Sequence, residues 1–292
     1  MTNHLLTALV LAPACFGVGW LVWEASWFWN HRPDLHFGWI VLALSTFLVF
    51  DRWRMVPTPM FRFSARIGLL SGIGLSLLLF YQVYQATYGL VASGLLILSL
   101  GVVAVALSNL LFVYGPDCKT VFLFPLLFLF VALPIPSGIY NELVASLQSM
   151  IASITVEILN LLGIPARKVG YLIFLSGSTL GIDEACSGVR SLQSCLMAGC
   201  FISYFVLRSI SSRILLVASA VSLAILGNVL RCLYLSLTAN AKGASAVQGV
   251  HDAAGWSVLL LTVFGLGAIA WILVKLEKLV TIARGGPETN AP

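Results

Sequence analysis

The sequence predicts an all-α, polytopic membrane protein, and three observations carry that expectation. Of 292 residues, 60% are hydrophobic and only 9% charged, against about 45–50% and 25% in an ordinary soluble domain. Apolar stretches close to the length of a membrane crossing recur along the chain, and most of the charges lie in the short segments between them. The 16 Lys+Arg and 11 Asp+Glu are too few to cover a soluble protein of this length. The formal charge of +5 does not point to nucleic acid, because no basic run exceeds two residues. Anionic lipid headgroups fit it better.

A spanning helix needs about 20 predominantly apolar residues. Eight stretches qualify, near 5–23, 37–50, 67–85, 90–114, 120–133, 192–207, 214–236 and 253–274. The second and fifth are short, although Trp39 and Trp53 flank the second as interfacial anchors do. The first span lacks a basic leader, and only seven apolar residues precede Ala12-Pro13-Ala14, so it reads as a retained helix. Residues 285–292 are small and polar and read as a frayed tail. No internal repeat or low-complexity segment divides the chain, which reads as one domain over 1–292.

Orientation follows from the basic residues. With the N-terminus inside, Arg52, Arg54, Arg62, Arg66, Lys119, Arg208, Arg213, Lys275, Lys278 and Arg284 are cytoplasmic, which is ten of the sixteen. Adding the acidic residues splits the net +5 into +6 inside and −1 outside. The excess is mostly an orientation signal, and it places residues 134–191 outside.

That stretch does not read as plain membrane helix. After Pro134-Ile135-Pro136, apolar residues from Leu143 to Leu162 recur at helical spacing with Glu142, Gln148, Ser149 and Glu157 between them. The pattern predicts an amphipathic helix on the outer surface, stopped by Gly163-Ile164-Pro165. Residues 169–182, rich in Gly, Ser, Thr and β-branched types, predict an extended or hairpin segment. It leads into the turn 183–191, just before the sixth span. The GxxxG spacing of Gly68 and Gly72 suggests close helix packing, and that of Gly177 and Gly181 lies outside the spans.

Five cysteines, Cys15, Cys118, Cys195, Cys200 and Cys232, sit in or beside apolar helices with no CxxC pair, and read as small packing residues. No zinc or iron–sulfur site follows from them. Cys186 differs. It lies in a polar, Gly-containing turn at the start of a helix, where backbone N–H groups and the helix dipole favour a thiolate, and Arg190 four residues on adds positive potential. The competing reading, half of a disulfide, finds no second cysteine in any outer loop. Asp183 and Glu184 oppose the thiolate unless they cap the helix or orient a base.

Arg231 is the second anomaly, since an arginine within an apolar helix costs about 2.5–3.5 kcal/mol on insertion scales unless paired, used or snorkelling. Asn228 lies three residues earlier on the same face. His251 is the third. It is expected in an outer loop just before the eighth span, with Asp252 beside it to orient the imidazole. Cys186, Arg231 and His251 are far apart in sequence, yet a topology drawn from charge alone places all three at the outer boundary. His31, Asp34 and His36 form a weaker set, a marginal metal site in which His36 is a reserve candidate for a base.

Glu184-Ala185-Cys186-Ser187-Gly188-Val189-Arg190-Ser191-Leu192, followed by Asn228-Val229-Leu230-Arg231 and then His251, resembles the exosortase/archaeosortase family of membrane cysteine transpeptidases. The resemblance extends to Trp29 through His36-Phe37-Gly38 and to Pro134-Ile135-Pro136. It implies that Cys186 is the nucleophile and that Arg231 and His251 complete a Cys-Arg-His set, with Asn228, Arg190 and Asp252 in support. The histidine favours the bacterial side of the family. The implied substrates are exported proteins ending in a short motif such as Pro-Glu-Pro, a transmembrane helix and a basic tail, with a lipid or glycan as possible acceptor. No metal or cofactor is implied. Read from residues alone, a membrane acyltransferase using the same thiol, a transporter and a non-catalytic assembly factor all remain open.

Overall fold

The computed structural model describes residues 2–181, 188–243 and 245–283. These residues form nine α-helices, with short 3-10 turns and one small sheet. Eight helices among them are long and apolar enough to cross a membrane. The polytopic helical architecture expected from composition is therefore the one found. The described residues group into two compact units, Met1–Ser137 and Gly138–Pro292.

The first unit holds α1 (Thr2–His31), α2 (Gly38–Asp51), α3 (Ala65–Tyr88), α4 (Ala92–Tyr114) and α5 (Lys119–Phe128). Helix α4 is its most buried element, packed between α1 and α3. The close approach of α3 and α4 depends on Gly74 and Gly101. A β-carbon on Gly74 would lie 2.8 Å from Val105 Cγ2, and one on Gly101 2.8 Å from Leu78 Cδ2. The GxxxG pair of the sequence is not this contact, since nothing lies within 4 Å of a β-carbon at Gly72. Ser64 caps α3 by accepting from the Ile67 amide at 3.3 Å. The orphan carbonyls at the end of α4 are met from the loop before α3, where the Met60 and Phe61 amides donate to Val113 O and the Arg62 amide to Phe112 O.

The 120–133 stretch is not a full-length span. It is the ten-residue α5, with Pro125 inside it, followed by a 3-10 turn over Leu129–Ala132. It nevertheless runs the length of α2. Arg52 Nη1, past the end of α2, donates to Thr120 O at 3.3 Å, while Trp29 Nε1, against Gly38 at the start of α2, donates to Ala132 O at 2.8 Å. The two short elements lie side by side in opposite directions.

The second unit holds α6 (Ser137–Leu161, whose first residue closes the first unit), β1 (Ala166–Val169), β2 (Leu172–Leu175), β3 (Thr179–Gly181), α7 (Val189–Val206), α8 (Ile210–Lys242) and α9 (Ser245–Ala283). Helix α6 is amphipathic as expected. Leu147, Ile151, Ala152 and Leu159 are buried, and Glu142 and Glu157 are exposed. At 25 residues, Ser137–Leu161, it is one of the eight helices long and apolar enough to span, and 120–133 is not. Along its length, Leu147 and Ile151 share a cavity with Ala224, Ile225 and Asn228, and Thr155 sits beside Cys232, so α6 follows α8 in the same direction.

The extended segment is an antiparallel sheet in the order β1-β2-β3. Val169 pairs with Leu172, leaving a two-residue turn opened by Gly170 at φ +63°, a conformation glycine adopts freely. Ile173 and Leu175 turn inward and join Leu147, Ile151, Val189, Val229 and Cys232 in one core. Helices α8 and α9 pack antiparallel, with Leu223 against Gly265 and Gly227 against Val258. At 33 and 39 residues, they run about 50 and 58 Å, well beyond the ~30 Å of a hydrocarbon core.

Candidate functional site

Asn228 and Arg231 are three residues apart on α8 and so share one face of that helix. Asn228 is buried, 3% exposed, and its side chain lies directly on the backbone of Gly188. A β-carbon at Gly188 would come within 2.6 Å of Asn228 Nδ2 and 2.9 Å of its Cγ. Gly188 also has φ +83°, which L side chains rarely adopt. Conformation and contact thus both require glycine. Immediately after it α7 begins, with the Gly188 carbonyl accepting from the Leu192 amide and the Ser191 hydroxyl, each at 2.8 Å.

Arg231 reaches the other way. Its Nη2 and Cζ lie 3.7 and 3.8 Å from where a β-carbon at Gly255 would stand. Gly255 is on α9, one helical turn after His251. The bare backbone of Gly255 leaves that face of α9 to the guanidinium. One stripe of α8 therefore touches the turn before α7 through Asn228 and the first apolar turns of α9 through Arg231.

Of the residues singled out by sequence, Asn228 and Arg231 are described in full. Cys186 lies outside the described residues, as do Asp183, Glu184 and the tail 285–292. Gly188, two residues after Cys186, is the described neighbour that meets Asn228. His251 and Asp252 are not in a loop. They lie in the second turn of α9, which starts at Ser245. Arg190 is exposed in the first turn of α7. Because that helix starts at Val189 and Gly188 is left-handed, the four-residue spacing from Cys186 to Arg190 is not a turn of one helix.

Of the other cysteines, all but Cys15 behave as packing residues. Cys118, Cys195 and Cys232 are buried, Cys200 is partly buried, and Cys15 is exposed on α1. Burial pushes the Cys118 thiol up, Asp117 adds to the effect, and Lys119 opposes it. A raised thiol is a poor nucleophile. In the first unit, Asp34 is held by Arg32 Nη2 at 2.8 Å, and His31 Nδ1 bonds Trp27 O at 2.8 Å. Among the described residues no three His, Cys, Asp or Glu side chains could hold a metal, so His31, Asp34 and His36 do not gather as ligands. His36 closes the short turn between α1 and α2.

Sequence reasoning missed two residues of this site, Gly188 and Gly255. The signal for the second was available, since it lies one turn beyond His251. For the first, the sequence marks a turn but not the asparagine that fills the space above it.

The fold and this polar stripe define an integral membrane protein of the polytopic helical class, with its unusual residues at the junction of α7, α8 and α9. The family model for transmembrane exosortases matches residues 29–272, which takes in both compact units, and the chain belongs to that family. No curated protein and no solved structure matches the chain. At family level, membership means a cysteine-type sorting transpeptidase of the membrane.

Proposed function

We propose that the protein cleaves the C-terminal sorting signals of exported proteins through a thioester on Cys186, and passes the cleaved chain to a cell-envelope acceptor. The substrate class is a tail with a short Pro-Glu-Pro-like motif, a transmembrane helix and a basic end. The membrane is the bacterial cytoplasmic one, with the site at its outer face. The single observation behind this reading is the α8 stripe, in contact with Gly188 on one side and Gly255 on the other. Those contacts bring the chain two residues past Cys186 and the helix one turn past His251 to a common arginine–asparagine pair.

In the proposed reaction the Cys186 thiolate attacks the scissile carbonyl, forming a C–S bond. The tetrahedral intermediate collapses with cleavage of the C–N bond, and the amine carrying the C-terminal helix leaves with a proton from His251. Arg231 stabilises the oxyanion, and Asn228 fixes the turn through Gly188. An amine or hydroxyl of a lipid or glycan, or water, then attacks the thioester and releases the thiolate. A substrate helix packed among the spans would hold its motif at the depth of the site, so that binding remote from the scissile bond positions the carbonyl. The test is Cys186→Ala with a tagged exported protein. Processing is expected to stop, and normal processing by that variant refutes the proposal.

A further inference from the structure

The Lys168 ammonium of β1 donates to three acceptors on α6, at 2.9 Å to Ser149 O, 2.6 Å to Ser149 Oγ and 2.8 Å to Ser153 Oγ. An ammonium has three N–H donors, and all three are used. The arrangement is a three-point clip. Ser153 Oγ itself bonds Ser149 O at 3.0 Å, which ties the two serines one turn apart.

The clip sits on the opposite side of α6 from the candidate site. Ser149 and Ser153 alternate with Leu147 and Ile151, and the latter two line the small cavity bounded by Gly188, Leu192, Ala224 and Asn228. Helix α6 thus lies between the lysine and the Asn228–Gly188 contact. The sheet that carries Lys168 has two further anchors. Asn160 exchanges two bonds with Ala166, at 2.9 and 3.1 Å, and Ser178 Oγ donates to Ala239 O at 3.4 Å. Its third strand ends at Gly181, from which the chain continues to Cys186.

We infer that Lys168 is a positioning residue for the reaction. Its ammonium fixes the sheet to α6, and through them both the chain entering 182–187 and the helix face that backs Asn228 and Gly188. The inference rests on the transpeptidase reading above, but its test does not depend on that reading alone. Lys168→Met keeps the length of the stem and removes the three donors. In purified full-length protein, kcat for substrate cleavage is expected to fall about tenfold with KM within twofold. The rate of Cys186 alkylation, followed by mass spectrometry of its peptide, is expected to change at least threefold.

Ser149→Ala together with Ser153→Ala removes both hydroxyl acceptors, and adding Lys168→Met to that pair should cost much less than it does in the parent. This serine pair also serves if Lys168→Met fails to accumulate. Unchanged kcat and unchanged alkylation in Lys168→Met overturn the inference, as does a lysine effect undiminished in the serine pair. Alkylation is read whether or not Cys186 is the nucleophile. Failure of the clip therefore separates from failure of the catalytic assignment, which Cys186→Ala reports.

Discussion

The two compact units treat their polar residues in opposite ways. In Met1–Ser137, the polar side chains that stand out in the sequence are absorbed by local structure. The Trp29 indole bonds Ala132 O, Arg32 pairs with Asp34, and Glu24 accepts from Trp20 Nε1 at 3.2 Å and Gln85 Nε2 at 3.4 Å. In Gly138–Pro292, Asn228 and Arg231 are spent on backbone with no side chain of its own, at Gly188 and Gly255. The first pattern closes a framework. The second sets two polar side chains of α8 against bare backbone, beside α7 through Asn228 and on α9 through Arg231.

Family features divide along the same line. Trp29, Gly38 and the segment before Pro134 form one knot. Gly38 is buried against the Trp29 indole, which in turn is bonded to Ala132. No chemistry is needed to explain it. The stretch around Cys186, the Asn228–Arg231 stripe and His251 form the other group.

Substitutions should respect that division. Arg231→Gln keeps much of the volume and removes the charge, and is expected to lower kcat by about 10²–10³, the usual cost of losing a group that stabilises an oxyanion. Radiolabelled cleavage assays on purified protein check it, and a loss below threefold would make Arg231 a packing or snorkelling residue. His251→Ala is expected to lower the rate by roughly 10² through loss of proton transfer.

Gly188→Ala joins two costs. A left-handed non-glycine residue costs about 1–2 kcal/mol, and the added methyl meets Asn228. Cleavage is expected to fall about tenfold, with thermal unfolding in detergent shifted down. Asn228→Ala in the same chain removes Nδ2 and Cγ from the clash, so the pair should unfold at a higher temperature than Gly188→Ala alone. A purely additive result would show that the contact does not constrain the turn. The smallest catalytic effect belongs to the first unit. Gly38→Ala presses a methyl into the Trp29 indole and should cost about 1–3 kcal/mol of stability. Cleavage per folded molecule is expected to remain within twofold.

Much of the fold was legible because hydropathy reports lipid contact directly, and seven of the eight expected spans coincide with long apolar helices. What hydropathy does not report is where a helix ends once it leaves the membrane. Helix α9 extends eight residues before Ala253 through small and polar side chains, so His251 reads as loop in the sequence and is helical in the structure. The same blindness operates at 120–133. Its composition suits a span, but the regular helix stops at Phe128 and the backbone tightens to a 3-10 turn.

At the site, unusual side chains were legible and their neighbours were not. Asn228 and Arg231 stand out because polarity in an apolar helix is costly. Gly188 and Gly255 carry no such signal, since what matters about them is the atom they lack. Lys168 was hidden for another reason. Its role depends on two serines 15 and 19 residues away, brought to it by a helix and a sheet packing face to face.

The most direct measurement is intact-protein mass spectrometry after the purified enzyme is mixed with an exported protein bearing a C-terminal motif, a transmembrane helix and a basic end. An adduct on Cys186 with the mass of the substrate minus its C-terminal helix, released by hydroxylamine, is the expected result. Cleavage of that substrate by Cys186→Ala protein, or turnover with the substrate joined to a different residue, would contradict it.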